Sequence, residues 1–203
     1  MSIHNEYEYQ YNKKADIYCY PNTNVLINKF DIRNINDLTI TEREITALKI
    51  LEAEKNPIRG KFDLKHLQKI HEFIFGDIYE WAGKIREGDF LIKGESIFCR
   101  AMYIENLASD IHNKLSADNF LRGIAKDDFI SKLAYYMGEI NALHPFREGN
   151  GRTQRLYFKQ LCKKAGYDLE FHKTKKDELV KADIAAFNCD YSLLIRILNN
   201  IVN

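Results

Sequence analysis

The chain has 203 residues, 45% of them hydrophobic and 29% charged; these are the proportions of a soluble globular protein and exclude disordered, collagenous and coiled-coil architectures. Lys and Arg number 30 against 29 Asp and Glu, for a net charge of +1, so bulk electrostatics favour neither a nucleic acid nor a membrane surface as partner, and any phosphate chemistry must come from a local site. Glycine and proline are scarce, 10 and 3 of 203, about half the usual share, which forecasts long helices and demands a reason for any cluster of glycines.

Met1 to Lys13 is polar and tyrosine-rich without an apolar core, and no stretch approaches the roughly 18 to 20 apolar residues of a membrane span. The expected compartment is a cytoplasm, that of the producing cell or, for a delivered effector, that of a host. Cys19, Cys99, Cys162 and Cys189 stand singly, which suggests reduced thiols, not zinc or a disulfide framework. No repeat, linker or composition shift marks a boundary, so one domain over 1–203 is expected, with an N-terminal arm to about residue 25.

In chain order, Asp63 is a candidate N-cap before Leu64, Leu67, Ile70 and Ile74, an apolar series at helical spacing that Gly76 stops. Turns at Gly83, Gly88 and Gly94 follow, and Asp89 to Phe98 carries two short apolar runs around Lys93-Gly94-Glu95-Ser96, which predicts a hairpin. Helices are predicted over Ile104 to Leu115 and Asp127 to Leu143, the second with Phe129, Ile130, Leu133, Ala134, Met137 and Ile140 on one face. Pro145 forces the chain out of the α region at His144. A new helix is predicted from about Asn150 to a stop at Gly166.

Between those helices lies His144-Pro-Phe-Arg-Glu-Gly-Asn-Gly-Arg-Thr-Gln-Arg155. Gly149 and Gly151 permit conformations and close approaches that a Cβ forbids, so successive N–H groups at a helix start can turn toward one anion. Arg152 and Arg155, three apart on the helix, can add forked donors to further phosphates. Glu148 is an oxygen ligand placed where Mg²⁺ could bridge it to phosphate oxygens. The chain has no G-x-x-x-x-G-K-[S/T] loop and no G-x-G-x-x-G turn, and His71-Glu72 lacks the second histidine of a zinc-protease helix.

This segment resembles the signature H-x-F-x-[D/E]-G-N-G-R-x-x-R of the Fic (Fic/Doc) family, with every specified position filled, and His71 to Arg86 is similar to the stretch before that family's β-hairpin flap. The resemblance covers a core of about residues 60–200. It implies a mainly α fold, a compact helical bundle with a short β-hairpin flap beside the active site. It also implies a protein adenylyltransferase that moves AMP from ATP to a Ser, Thr or Tyr hydroxyl of a target protein, as a toxin or effector. Transfer of another phosphate-containing group, or a non-catalytic nucleotide-binding module, are the alternatives.

By the same resemblance His144 would be the general base and Glu148 the Mg²⁺ ligand. Gly149, Asn150 and Gly151, the Asn150 side chain included, would receive the α-phosphate. Arg152 and Arg155 would bind the outer phosphates, and Phe146 would anchor the loop. Lys93 and Gly94 lie at the turn of a flap that would line the nucleotide site and register the target backbone. Asn188-Cys-Asp-Tyr191 resembles a segment near the adenine pocket, or is an ordinary helix cap. Two [S/T]-x-x-x-E matches, Ser2 to Glu6 and Thr174 to Glu178, are followed by Tyr7 and Leu179, so neither completes the family's inhibitory [S/T]-x-x-x-E-[G/N]; the resemblance is then to the class silenced in trans by a small antitoxin.

Overall fold

In the computed structural model, residues 9–11, 17–88, 91–93 and 96–203 are described. Among them are seven α-helices: α1 (Ile35–Lys55), α2 (Leu64–Phe75), α3 (Ile104–Ala117), α4 (Lys126–Leu143), α5 (Asn150–Ala165), α6 (Lys176–Phe187) and α7 (Ser192–Ile201). The predicted caps are in place. The Asp63 carboxylate accepts the His66 N–H at 2.8 Å, and Gly166 ends α5 at φ 98°, where a Cβ would be strained.

Helix α4 packs against α3, α5, α6 and α7, and α2 against α1, α3 and α5. Its buried face carries Phe129, Ile130, Leu133, Ala134, Met137 and Ile140, as the periodicity predicts. Ile70, Ile74 and Phe75 of α2, Leu156, Phe158 and Leu161 of α5, and Leu194 and Leu198 of α7 complete the core. The turn between α4 and α5 therefore rests on two helices with half of their residues buried.

Helix α1 has no counterpart in the periodicity of the sequence. Only Leu38, Thr46 and Ala53 of its 21 residues are buried, and Ile40, Leu48 and Leu51 are exposed, so no apolar stripe announces it. Its start is written locally: the Asn34 side-chain oxygen accepts the Asn36 and Asp37 N–H groups at 2.9 and 3.3 Å.

The hairpin forms from β2 (Leu91–Lys93) and β3 (Ser96–Ile97), antiparallel, with Lys93 opposite Ser96. Gly94, predicted at its turn, lies outside the described residues, as does the Ser2 to Glu6 match. The N-terminal arm does more than lead into the core: β1 (Tyr9–Tyr11) pairs antiparallel with β2, Tyr9 opposite Lys93 and Tyr11 opposite Leu91. The order β1-β2-β3 makes β2 the central strand and leaves β1 and β3 as the two edges among the described residues. No helix among the described residues is long and apolar enough to cross a membrane.

Candidate active site

His144 ends α4 in the left-handed region, φ 43° and ψ 60°, with its N–H on the Ile140 carbonyl. The imidazole is 6% exposed and held on two sides. Its Nδ1–H donates to the Asn141 carbonyl at 3.2 Å, and the Phe98 ring, just past β3, stacks on it at 3.8 Å. A proton fixed on Nδ1 makes Nε2 the acceptor nitrogen of the ring.

Arg86, 2% exposed, staples the turn from below. Its Nε donates to the His144 carbonyl at 2.9 Å, its N–H to the Pro145 carbonyl at 2.8 Å, and Nη2 to the Cys99 carbonyl at the flap's exit. The Cys99 N–H in turn donates to the Ala142 carbonyl at 3.0 Å. One guanidinium thus registers the hairpin against the end of α4.

Gly149 adopts φ 81°, and a Cβ there would lie 2.3 Å from the Phe75 ring, so both conformation and space demand glycine. Asn150 begins α5. Its side chain bridges the backbone of Phe146: Oδ1 accepts the Phe146 N–H at 3.0 Å and Nδ2 donates to the Phe146 carbonyl at 2.7 Å. These bonds lock the turn, and Nδ2 carries a second hydrogen besides the one given to Phe146. Gly151 is exposed, which leaves the backbone at the start of α5 approachable.

His71 is the polar residue whose role the sequence does not disclose. It is fully buried, between Phe146 at 3.9 Å and Phe75 at 4.7 Å. Its Nδ1 accepts the Gly83 N–H at 2.8 Å, and Nε2–H donates to the Glu148 carbonyl at 2.9 Å. Burial pulls its pKa down to about 3, the Glu148 hydrogen bond offsetting part of this, so the ring is neutral and its tautomer set by those bonds. The only hint in the sequence is the place of His71 in a stretch resembling the one before a flap.

The Glu148 carboxylate accepts the Gly149 N–H at 2.9 Å and stands 3.5 Å from Arg152 Nη2. Among the described residues no group of three or more His, Cys, Asp and Glu side chains could hold a metal. A lone carboxylate at a helix start suits Mg²⁺, which commonly takes one or two carboxylates plus substrate phosphates and water.

The two arginines differ. Arg152 is already engaged: Nη2 donates to Glu42 Oε1 at 2.7 Å, Nη1 to Thr46 Oγ1 at 3.2 Å, and its Cζ lies 4.7 Å from the centre of the Phe75 ring. Arg155 folds back over the start of its helix, so that a Cβ on Gly151 would come within 3.3 Å of Nη1. Burial lowers its pKa from the ordinary guanidinium value while the Asp183 charge opposes that. Lys93 is placed by its backbone at the hairpin turn. In the segment from Asn188 to Tyr191, Asp190 accepts the Ser192 N–H at 3.0 Å, as a cap for α7 would. Thr174 donates to Glu178 at 3.4 Å, one turn into α6.

Residues 61–162 match the Fic/DOC family. The chain is 40% identical over 190 residues to "Protein adenylyltransferase VbhT" of Bartonella schoenbuchensis, covering 92% of this chain but only 40% of that protein. It is 35% identical over 195 residues to "Probable protein adenylyltransferase Fic" of Escherichia coli, covering 96% of each. Among solved structures, the N-terminal Fic domain of a VirB-translocated Bep effector protein from Bartonella quintana, with bound ADP, superposes with a TM-score of 0.85 at 28% identity, over 92% of this chain and 94% of the other.

Proposed function

This chain belongs to the Fic/DOC family, and on that footing we propose that it is a protein adenylyltransferase that moves AMP from ATP to a Ser, Thr or Tyr hydroxyl of a target protein. One observation carries the proposal: the Nδ1–H···O=C bond to Asn141 presents His144 Nε2 as an acceptor at the end of α4, one tight turn from the start of α5. Nε2 takes the proton of the target hydroxyl as its oxygen attacks the α-phosphorus. A new O–P bond forms, the bond from that phosphorus to the bridging oxygen breaks, and pyrophosphate leaves. The protein supplies position and charge, which is most of what such a transfer needs.

The backbone N–H groups of Asn150, Gly151 and Arg152, the first of α5, receive the α-phosphate. Arg155 takes the outer phosphates, and Arg152, its ends held by Glu42 and Thr46, adds charge from behind Glu148. Glu148 would hold Mg²⁺, which would supply positive charge against the outer phosphates. The backbone at Lys93, the last residue of β2, lines the nucleotide. The target segment adds as an extended strand at the edge of β3, the outer strand of the hairpin itself. A small antitoxin acting in trans completes the reading as toxin or effector, by offering Arg155 a glutamate.

The test is transfer of label from α-³²P-ATP to a protein in bacterial and eukaryotic lysates. It should occur with the wild-type chain, vanish with His144→Ala, and be suppressed by a co-expressed product of a neighbouring small reading frame. Label transferred from γ-³²P-ATP instead would overturn the AMP assignment.

A further inference from the structure

Helix α1 reaches the site through one carboxylate. Glu42 Oε1 takes the Arg152 Nη2 hydrogen bond at 2.7 Å, and its other oxygen accepts the Tyr79 hydroxyl in a close hydrogen bond. The side chains of Glu42 and Arg152 are 15% and 24% exposed, so water screens the pair little. Tyr79 is buried and stacked on Trp81 at 4.4 Å; burial and the Glu42 charge push its phenol far above the ordinary range, which keeps it a donor.

The same Nη2 stands 3.5 Å from Glu148 Oε1, and Glu148 and Arg152 are spaced i, i+4. Two carboxylates therefore compete for one guanidinium, and the distances favour Glu42. Were Glu42 uncharged, a movement of under ~1 Å would bring Arg152 to the usual 2.7–2.9 Å of a charge-assisted bond with Glu148. That bond would cancel the charge of the one carboxylate at the turn. With Glu42 present, the three groups sum to one negative charge, and Glu148 keeps an oxygen for a cation.

We propose that Glu42 is a positioning residue that draws Arg152 away from Glu148 and so keeps the Glu148 carboxylate available to the divalent cation that accompanies the nucleotide. This rests on Glu148 as the metal ligand. Tyr79 and Thr46 serve the same end, Tyr79 by fixing Glu42 and Thr46 by taking the second arm of Arg152. Glu42 does not act as an inhibitor occupying a phosphate site: Arg152 is bound on both nitrogens and over Phe75, a satisfied arrangement that a phosphate would have to dismantle.

The experiment is Mn²⁺ binding to the full chain by electron paramagnetic resonance, with a non-hydrolysable ATP analogue, so that no transfer is required. Glu42→Gln should raise the half-saturating Mn²⁺ concentration by about tenfold, as loss of an outer-shell partner does. Tyr79→Phe should shift it the same way by less, and stands in if Glu42→Gln fails to fold. In an Arg152→Met background nothing competes for Glu148, so adding Glu42→Gln should change Mn²⁺ binding little. Folded variants with unchanged or tighter Mn²⁺ binding, or an equal shift in the Arg152→Met background, overturn the inference while wild-type binding stands. Absence of nucleotide-dependent Mn²⁺ binding in the wild-type chain overturns the metal assignment of Glu148 and this inference with it.

Discussion

The turn from His144 to Gly151 and the hairpin strands Leu91–Lys93 and Ser96–Ile97 meet where Phe98 stacks on His144, and they are held by opposite means. In the turn, Asn150 satisfies both backbone groups of Phe146 and His71 holds the Glu148 carbonyl. Phe146 is fully buried. The hairpin has five residues in its two strands, with Ile97 57% exposed, and meets the core through Leu91, Phe98 and the Arg86 contact at Cys99. The contrast teaches where each task resides. Groups that stabilise a transition state need fixed geometry, whereas an edge that accepts different protein backbones needs only an open ladder of N–H and C=O groups.

The contrast can be broken or sharpened by substitution. The largest effect belongs to the turn: His144→Ala should lower the rate of label transfer on the order of 10³-fold, within the range of a lost general base, with binding of an ATP analogue retained in calorimetry. Next, Asn150→Ala leaves the buried Phe146 N–H and C=O without partners and should cost about 2–4 kcal/mol in urea unfolding. If it costs under about 0.5 kcal/mol, comparable to an ordinary surface substitution, the turn is not locked by this side chain.

A third effect is graded by pH. The folded site keeps His71 at a pKa of about 3 against an ordinary 6.5, so below pH 6.5 the unfolded chain binds a proton that the folded chain refuses. The contribution of His71 to stability is complete above pH 6.5 and falls by about 1.4 kcal/mol per pH unit toward pH 3. His71→Gln should flatten that part of the pH–stability curve while lowering stability at pH 7. The smallest effect belongs to the hairpin. Ile97→Ala should change unfolding free energy by less than about 0.5 kcal/mol, yet raise the KM for the protein target several-fold with the KM for ATP unchanged. A large stability loss there would erase the distinction between the two regions.

The locked half was the more legible in sequence, because its punctuation is local. Pro145, Gly149 and Gly166 mark where α4 stops and where α5 starts and stops, and the backbone angles agree with them. What could not be read are contacts between residues far apart in the chain. His71 meets Glu148 across 77 positions and Arg86 meets His144 across 58, and no periodicity encodes such pairings. The Asn150 side chain makes a related point: an amide in a glycine-rich turn suits a phosphate and a backbone equally well, and only the fold shows that it bonds the backbone four residues earlier. Helix α1 escaped because its inward face is partly polar, Glu42 and Thr46 serving Arg152 instead of filling a core.

The left-handed backbone at His144 has a consequence for how this protein can be improved. Helix ends of this shape usually carry glycine, and a side-chain-bearing residue there costs on the order of 1–3 kcal/mol. Selection for thermal robustness alone would exchange this histidine for glycine, trading the proposed base for a more relaxed helix end. Durability and turnover therefore compete at a single codon, and a library screened only for heat resistance should accumulate inert proteins at this position.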